Sequence, residues 1–399
     1  MITTRKLVLR ILIVLLCTVV LPAQAQIFKI PQPDTTRGNF FGVDVAISGN
    51  RALVGASNED VCGESSGAAF IFEQDAVTGE WQQMARLTAS DCAPEHFFGR
   101  SLSLSGDRAV ITAFRPYFST VTSNAVYIFE RDPLTGEWLE TTRLTAERGV
   151  KEGAFAASVA LDGDRLLITA SGDPIKGQYG GAAYIFERDP TGSWRKTARL
   201  TGSGSVRNGI FGTSGDLYGD RAVVSASTYL KQKPGSVYVF ERDPATGDWH
   251  ESTRLGGIDD FFISLDLHND RLLVGESKGG PGTSGEATLF ERDETGSWKL
   301  SATLLPKAPY KHGAFGTRVA LFGDRALVVG YDEQLSFEFN IDRVVYVFQR
   351  KADGTWSQQR IIDVGEVAFG AAISLDGANA LIGQASEQKA GMAYVALIH

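Results

Sequence analysis

The chain has 399 residues, of which 43% are hydrophobic and 22% are charged, and its formal net charge is −8. This balance is typical of a globular protein and excludes an intrinsically disordered chain. An acidic protein is also a poor candidate for binding nucleic acid or an anionic membrane surface, so we expect neither partner.

The first residues predict a cleaved export signal. A basic start over residues 5–10 precedes an apolar run over 11–20, and an A-x-A cleavage sequence ends at Ala25. This order is typical of a secretory signal peptide, and the apolar run is too short to span a membrane. We therefore expect residues 1–25 to be removed after Ala25. The mature protein would be secreted, periplasmic or at the cell surface, without membrane insertion, and its net charge would change from −8 to −11.

A phrase that occurs seven times dominates the rest of the chain. An aromatic residue, usually followed by Gly, lies ten positions before a basic or amide residue that opens an apolar run. The aromatic residues are Phe41, Phe98, Phe155, Phe211, Phe261, Phe315 and Phe369. The paired residues are Arg51, Arg108, Arg165, Arg221, Arg271, Arg325 and Asn379. Successive copies start 50 to 57 residues apart, and a period of this length indicates a repeat architecture.

Each copy predicts four antiparallel strands. In the second copy, Phe97–Ser105 and Arg108–Ala113 are strands joined by Gly106-Asp107, a pair that suits the tight turn of a hairpin. A third strand begins at Val126, and a fourth begins at Trp138 after a turn that contains Pro and Gly. Seven such units predict an all-β fold, a seven-bladed β-propeller of four-stranded blades.

The last copy stops after its third strand, and the mature N-terminus is expected to complete it. Ile30 lies eleven positions before Phe41, the same spacing that separates Leu87 from Phe98. We therefore predict that the N-terminal segment supplies the fourth strand of blade seven, which would pair an otherwise open sheet edge. Residues 26–399 would then form one closed domain.

The repeated phrase resembles the FG-GAP repeat of integrin-α-type seven-bladed propellers, in the form found in bacterial exported proteins. The Phe-Gly start is followed by a strand and the pattern G-D-R-[AL]-x-[VI]-x-[GA]. The clearest starts are Phe41-Gly42, Phe98-Gly99, Phe211-Gly212 and Phe315-Gly316. Calcium-binding members of the family carry a longer acidic loop between the first two strands. Here that loop is reduced to Gly-Asp or Gly-Asn, which offers too few oxygen ligands for Ca²⁺. We therefore expect no metal site and no cofactor.

The predicted loops divide between two faces of the propeller. The turns between first and second strands and between third and fourth strands are short and nearly identical, whereas the second-to-third loops and the blade links differ between copies. Binding residues concentrate on loops held by a rigid scaffold, so the variable face is the predicted binding face. It is also the ligand face of the propellers that the chain resembles.

The variable loops combine aromatic and cationic side chains, which suit a protein or glycan ligand. The predicted binding residues are Arg115, Tyr117, Tyr179, Tyr229, Tyr310 and Lys311. Asp173 lies in the same loops. The alternative is that each aromatic residue fills a gap between blades.

Cys62 and Cys92 are the cysteines of the mature chain. The first lies in the second-to-third loop of blade one and the second lies in the link to blade two, so both belong to the variable face. In an exported protein this pair predicts a disulfide. Free or intermolecular thiols are the alternative.

Catalytic motifs are missing from the sequence. It contains no G-x-S-x-G, H-E-x-x-H or Walker pattern, and its histidines are scattered. We therefore predict a non-enzymatic, adhesion-type binding protein that recognises a protein or glycan through its variable face. The alternatives are a carbohydrate-active lyase or glycosidase with carboxylates near the central channel, and a structural component of the envelope. The sequence leaves the oligomeric state open.

Overall fold

The structure is a computed structural model in which seven four-stranded antiparallel sheets are present among the described residues. The described residues are 26–31, 38–113, 124–146, 155–175, 178–203, 209–228, 235–258, 263–277, 285–307, 314–331, 343–366, 368–386 and 390–398. The predicted signal peptide lies outside them. Within these ranges, no helix is long and apolar enough to cross a membrane.

Each sheet is one blade, and in blades one to six the strands run in chain order from the channel outward. The innermost strands are Phe41–Ser48, Phe98–Ser105, Phe155–Asp162, Gly209–Tyr218, Ile263–His268, Val319–Phe322 and Phe369–Asp376. The second strands are Arg51–Ala56, Arg108–Ala113, Arg165–Ala170, Arg221–Thr228, Arg271–Glu276, Arg325–Tyr331 and Asn379–Gln384. The third strands are Ala68–Gln74, Ala125–Arg131, Ala182–Arg188, Gly235–Arg242, Glu286–Arg292, Arg343–Arg350 and Met392–Leu397. The fourth strands are Trp81–Leu87, Trp138–Thr145, Trp194–Leu200, Trp249–Ile258, Trp298–Leu304, Trp356–Ile362 and, for blade seven, Ile27–Lys29.

The N-terminal strand completes blade seven, as the spacing of Ile30 predicts. Ile27 pairs with Ala396 and Lys29 pairs with Tyr394 in an antiparallel register. The backbone N–H of Ile30 then donates to the carbonyl of Ala393 (2.9 Å). The innermost strand of every blade contacts those of both neighbouring blades, so the ring is closed.

The repeated aromatic residue is a core residue. Phe98 is fully buried, and its ring packs edge-to-face against Tyr127 of the third strand, with ring centroids 5.4 Å apart. Phe41 and Phe70 repeat this contact in blade one at 5.7 Å. Such aromatic pairs add to the stabilisation that burial of their area provides. The six recurrent Phe side chains that the structure describes are all buried, so they belong to the core and not to a binding surface.

The glycine after this aromatic residue allows neighbouring blades to approach closely. Gly99 has φ +93°, and a Cβ atom there would lie 2.4 Å from the carbonyl oxygen of Ala68 in blade one. An L-residue is disfavoured at this φ and would also clash with backbone. Ala156 occupies the equivalent position in blade three at φ 68°, which shows that the left-handed conformation is kept even without glycine.

In six of the seven blades, the arginine that opens the second strand links neighbouring blades on the face of the short turns. Arg51 pairs with Glu73 of its own blade (2.6 Å) and with Asp107 in the Gly-Asp turn of the next blade (3.0 Å). A second arginine, at the end of the third strand, pairs with the preceding blade: Arg188 of blade three pairs with Glu130 of blade two (2.9 Å). Each exposed pair contributes little alone, but the repetition explains why the phrase couples an arginine to a Gly-Asp turn.

Candidate functional site

A β-bulge near the start of the innermost strand turns side chains into the channel mouth. In blade two, regular pairing with the second strand is interrupted between Phe98 and Leu102. The N–H of Ser101 inside this bulge donates to the hydroxyl of Thr112 (3.1 Å), so the bulge leaves that donor satisfied. Equivalent bulges occur in blades one, three, four and seven. Bulges often re-aim side chains beside functional sites, and here the second and third residues after the aromatic residue line the channel.

These residues enclose a cavity of about 500 Å³ at the channel mouth. The cavity lies on the face of the second-to-third loops, because Ser171, which directly follows the second strand of blade three, also lines it. Serine and threonine residues in or next to the innermost strands also line it: Ser101, Ser158, Thr213, Ser214, Ser264 and Thr317. Charged side chains come from blades one, two and six as Asp44, Arg100 and Arg318.

Asp44 is held in place by two backbone donors. The N–H of Val45 donates to Oδ1 (3.0 Å), and the N–H of Leu102 in the next blade donates to Oδ2 (2.9 Å). Burial raises the pKa of Asp44 to about 6, although these hydrogen bonds and the charge of Arg318 favour the ionised form. Asp44 is therefore a carboxylate that titrates close to neutral pH.

Arg318 supplies a cation beside this carboxylate. Its Nη1 donates to the carbonyl of Thr317 (2.9 Å), and its side chain is open to solvent within the channel. Burial lowers the pKa of Arg318. The negative charge of Asp44 raises this pKa, and the positive charge of Arg343 lowers it. A guanidinium stays protonated under all these influences. The lining of one cavity thus contains both a proton acceptor and a fixed positive charge.

Two further carboxylates, Asp216 and Asp266, lie in the innermost strands close to the cavity-lining residues. Asp216 and Asp266 follow the cavity-lining Ser214 and Ser264 by two positions, which places them on the same side of their strands. Oδ2 of Asp216 accepts from the N–H of Leu267 (2.6 Å), the residue directly after Asp266. Burial raises the pKa of both carboxyl groups, and the charge of Asp216 raises that of Asp266 further. These neighbours therefore resist full ionisation at neutral pH.

Most of the predicted loop residues are not part of the described structure. Arg115, Tyr117, Tyr229, Tyr310 and Lys311 lie outside the described residues. The backbone of Tyr179 lies in a short hairpin formed by Pro174–Ile175 and Gln178–Tyr179. Their predicted binding role therefore stays a prediction.

Asp173 has a structural role in the variable loops. It is buried, accepts a hydrogen bond from the Tyr184 hydroxyl and pairs with Arg199 (3.0 Å). Its carboxylate thus joins the loop to the third and fourth strands of blade three.

The predicted disulfide is present. Cys62 and Cys92 are bonded, with Cα atoms 6.0 Å apart, and they join the second-to-third loop of blade one to the link into blade two. No cluster of His, Cys, Asp or Glu suited to a metal ion occurs among the described residues.

The charged cavity residues were missed by the sequence analysis. Asp44, Arg100 and Arg318 come from three copies of the repeat, and none belongs to a contiguous motif. A signal was nevertheless available. The seven copies can be aligned on the aromatic residue, and the second and third positions after it can then be compared. Asp44, Arg100 and Arg318 are charged at these positions, whereas the other copies have Val, Ala, Ser, Thr or Ile there.

The fold defines the chain as a seven-bladed β-propeller, and sequence comparison identifies its repeat. The FG-GAP repeat model matches residues 25–72, 81–129, 138–186 and 194–240. The chain is therefore an FG-GAP repeat propeller, as its resemblance to that family predicts. No curated protein has a matching sequence.

Solved structures with a similar fold come from several bacteria. A protein from Lactobacillus plantarum is 16% identical with a TM-score of 0.53, and the match covers 84% of this chain and 88% of that chain. A Bacteroides uniformis protein provisionally assigned as a 6-phosphogluconolactonase is 13% identical with a TM-score of 0.52, covering 81% and 85%. The periplasmic gluconolactonase of Pseudomonas aeruginosa is 15% identical with a TM-score of 0.49, covering 81% and 85%. At these identities, the likeness shows the fold alone.

The prediction of an adhesion-type binding protein for a protein or glycan ligand, with its lyase, glycosidase and envelope alternatives, is wrong. A solved propeller with a similar fold is provisionally described as a 6-phosphogluconolactonase, a class that the sequence analysis did not consider. The error has a physical reason. Contiguous motifs cannot reveal a channel site to which each blade contributes only one or two residues.

Proposed function

We propose that the protein hydrolyses a small, hydroxyl-rich lactone in the cavity at the channel mouth. One observation carries the proposal: Asp44 and Arg318 line the same cavity of about 500 Å³, together with several serine and threonine residues, and the charge of Arg318 favours the ionised form of Asp44. A cavity of this size suits a ligand of sugar dimensions. The provisional lactonase description of a similar propeller supports this reaction class, although no residue role is transferred from it.

In this proposal Asp44 is the general base. Above its pKa of about 6, the carboxylate accepts a proton from water. The water oxygen bonds to the lactone carbonyl carbon, and the carbonyl electron pair moves to its oxygen. Collapse of this intermediate breaks the ring carbon–oxygen bond, and the proton passes from Asp44 to the departing alkoxide. The product is a hydroxy acid, and a base with a pKa near the working pH is efficient in such a step.

The arginines have complementary roles. Arg318 is placed to stabilise the negative charge that develops on the carbonyl oxygen, because a fixed cation in a walled cavity is effective at this task. Arg100 adds a second positive group to the same cavity lining. Guanidinium groups bind carboxylate and phosphate strongly, so we expect lactones that carry an anionic substituent to be preferred.

The test is a hydrolysis assay on the mature protein with glucono-δ-lactone, 6-phosphogluconolactone and γ-butyrolactone, corrected for spontaneous opening. Asp44→Asn should lower kcat by about 10²- to 10⁴-fold, and Arg318→Gln by about 10²-fold or more. Asp107→Asn is the matched control, because it removes the same charge from the opposite face. Hydrolysis that is absent from the whole panel, or that is equal in Asp44→Asn and the wild type, would overturn the proposal.

We also propose that this domain, residues 26–399, is exported after cleavage behind Ala25. The disulfide supports this location. The position of the ring closure supports it too, because the carbonyl of Gln26 accepts a hydrogen bond from Leu397 (3.0 Å) directly after the predicted cleavage site. N-terminal sequencing of protein recovered outside the cytoplasm should begin at Gln26. An intact leader on the folded protein would contradict this.

A further inference from the structure

The opposite mouth of the channel, on the face of the short turns, carries an arc of aromatic rings. Tyr218, His268 and Phe322 end the innermost strands of blades four, five and six. The ring centroids of Tyr218 and His268 are 4.8 Å apart, and those of His268 and Phe322 are 4.3 Å apart. All three side chains are half-buried, so part of each ring remains open to solvent.

The repeat itself does not require this arc. In blades one and two the same position holds Ser48 and Ser105, whose hydroxyls accept hydrogen bonds from the turn glycines Gly106 and Gly163 of the next blade (both 3.1 Å). Phe322 cannot make such a bond, and a tilted contact between its ring and that of His268 is found there instead. Blades four, five and six therefore have an aromatic side chain at the position where blades one and two have a serine that is hydrogen-bonded to the next blade.

A carboxylate flanks each end of the arc. Asp162 in blade three and Asp376 in blade seven occupy the same strand position, next to Tyr218 and Phe322 in ring order. One oxygen of each accepts from a turn N–H, that of Gly219 (2.6 Å) for Asp162 and that of Gly49 (2.5 Å) for Asp376. The other oxygen of each accepts no hydrogen bond from the described part of the chain.

The electrostatics at the arc favour a positive ligand. Burial lowers the pKa of His268, whereas the negative charges of Asp376 and Asp162 raise it, and the net shift is downward. The neutral imidazole is therefore favoured at pH 7, and it does not repel a cation. The nearby Arg271 also lowers this pKa, but its own charge is matched by Glu291 and Asp324, each at 2.9 Å.

We propose that this rim, formed by Tyr218, His268, Phe322, Asp162 and Asp376, binds an organic ammonium ion. The charge would lie against a carboxylate and the attached carbon atoms over the ring faces, whose π electrons attract cations. The net charge of −8 attracts cations to the protein generally. This site is at the other end of the channel from the proposed lactone cavity and does not depend on that function.

Calorimetric titration of the mature protein with tetramethylammonium, putrescine and neutral sorbitol, at constant ionic strength, tests the proposal. We expect at least one of the two cations to bind and sorbitol not to bind. The double variant Asp162→Asn with Asp376→Asn should lose about tenfold or more in affinity. Phe322→Leu should lose about fivefold, whereas Phe322→Tyr should retain binding because it keeps the ring.

The matched control is Asp270→Asn, which removes an exposed carboxylate from the same face but outside the rim. Its affinity should stay within about twofold of the wild type, since a single exposed charge is screened by salt. Thermal unfolding of each variant shows whether it is folded. Absence of cation binding by folded wild type, sorbitol binding in place of cation binding, or an equal loss in Asp270→Asn would overturn the proposal.

Discussion

Asp44 should set the acid limb of the proposed hydrolysis. With a pKa of about 6, it is about 90% ionised at pH 7 and about 10% ionised at pH 5. If its ionised form is the base, kcat/KM at pH 5 should be about one tenth of the plateau value. An ordinary aspartate, with a pKa of about 3.9, would remain more than about 90% ionised at pH 5 and would show almost no decline.

The assay is initial-rate hydrolysis between pH 4.5 and pH 7.5, with a ¹³C NMR titration of the Asp44 carboxyl as a readout that does not depend on activity. Arg318→Gln should move the midpoint upward, because it removes a cation that favours the ionised carboxylate. Asp44→Asn should abolish the inflection in whatever activity remains. A flat profile between pH 5 and pH 7, or a midpoint that moves downward in Arg318→Gln, would refute the reasoning.

Three further predictions concern the scaffold, and each is checked by thermal or denaturant unfolding. Replacing Cys62 and Cys92 together by serine should cost about 3 to 4 kcal/mol in the loop-entropy model, given their separation of 30 residues; an unchanged midpoint would contradict this. Gly99→Ala should cost clearly more than Gly106→Ala, because both glycines have positive φ but only the first would place a Cβ against backbone, at 2.4 Å; the second should cost about 1 to 2 kcal/mol. Ile30→Ala should cost about 2 to 5 kcal/mol, because this fully buried side chain belongs to the segment that closes the ring; a loss below about 1 kcal/mol would show that the closure contributes little.

The ring closure shows how far sequence reasoning reaches in a repeat protein. The spacing of Ile30 from Phe41 matches the spacing in complete copies, and that alone predicts which strand ends blade seven. Cys62 and Cys92 could be assigned to one face by the same alignment, and the structure confirms their bond. These predictions succeed because each depends on the position of a residue within its own copy or in the adjacent copy.

The channel residues show where this reasoning stops. Asp44 interacts with Arg318, which lies 274 positions later in the chain. Nothing in either local sequence distinguishes an inward-facing charge from a solvated one. The β-bulge around Asp44 exists only in the folded strand pair, and Arg318 lines the same cavity only because the ring brings blade six close to blade one.

The sequence by itself therefore determined the number of blades and the strand order, because the same pattern occurs in seven copies. It also determined the closure and the disulfide, because alignment of the copies assigns Ile30, Cys62 and Cys92 to their positions within a blade. Only the tertiary structure decided which side chains share the two mouths of the channel. Asp44 and Arg318 meet at one mouth, and Tyr218, His268 and Phe322 meet at the other. The physical reason is that a propeller brings the same strand position of distant copies around one axis. Departures from the repeat, which look like isolated variation along the chain, thereby become neighbours in space.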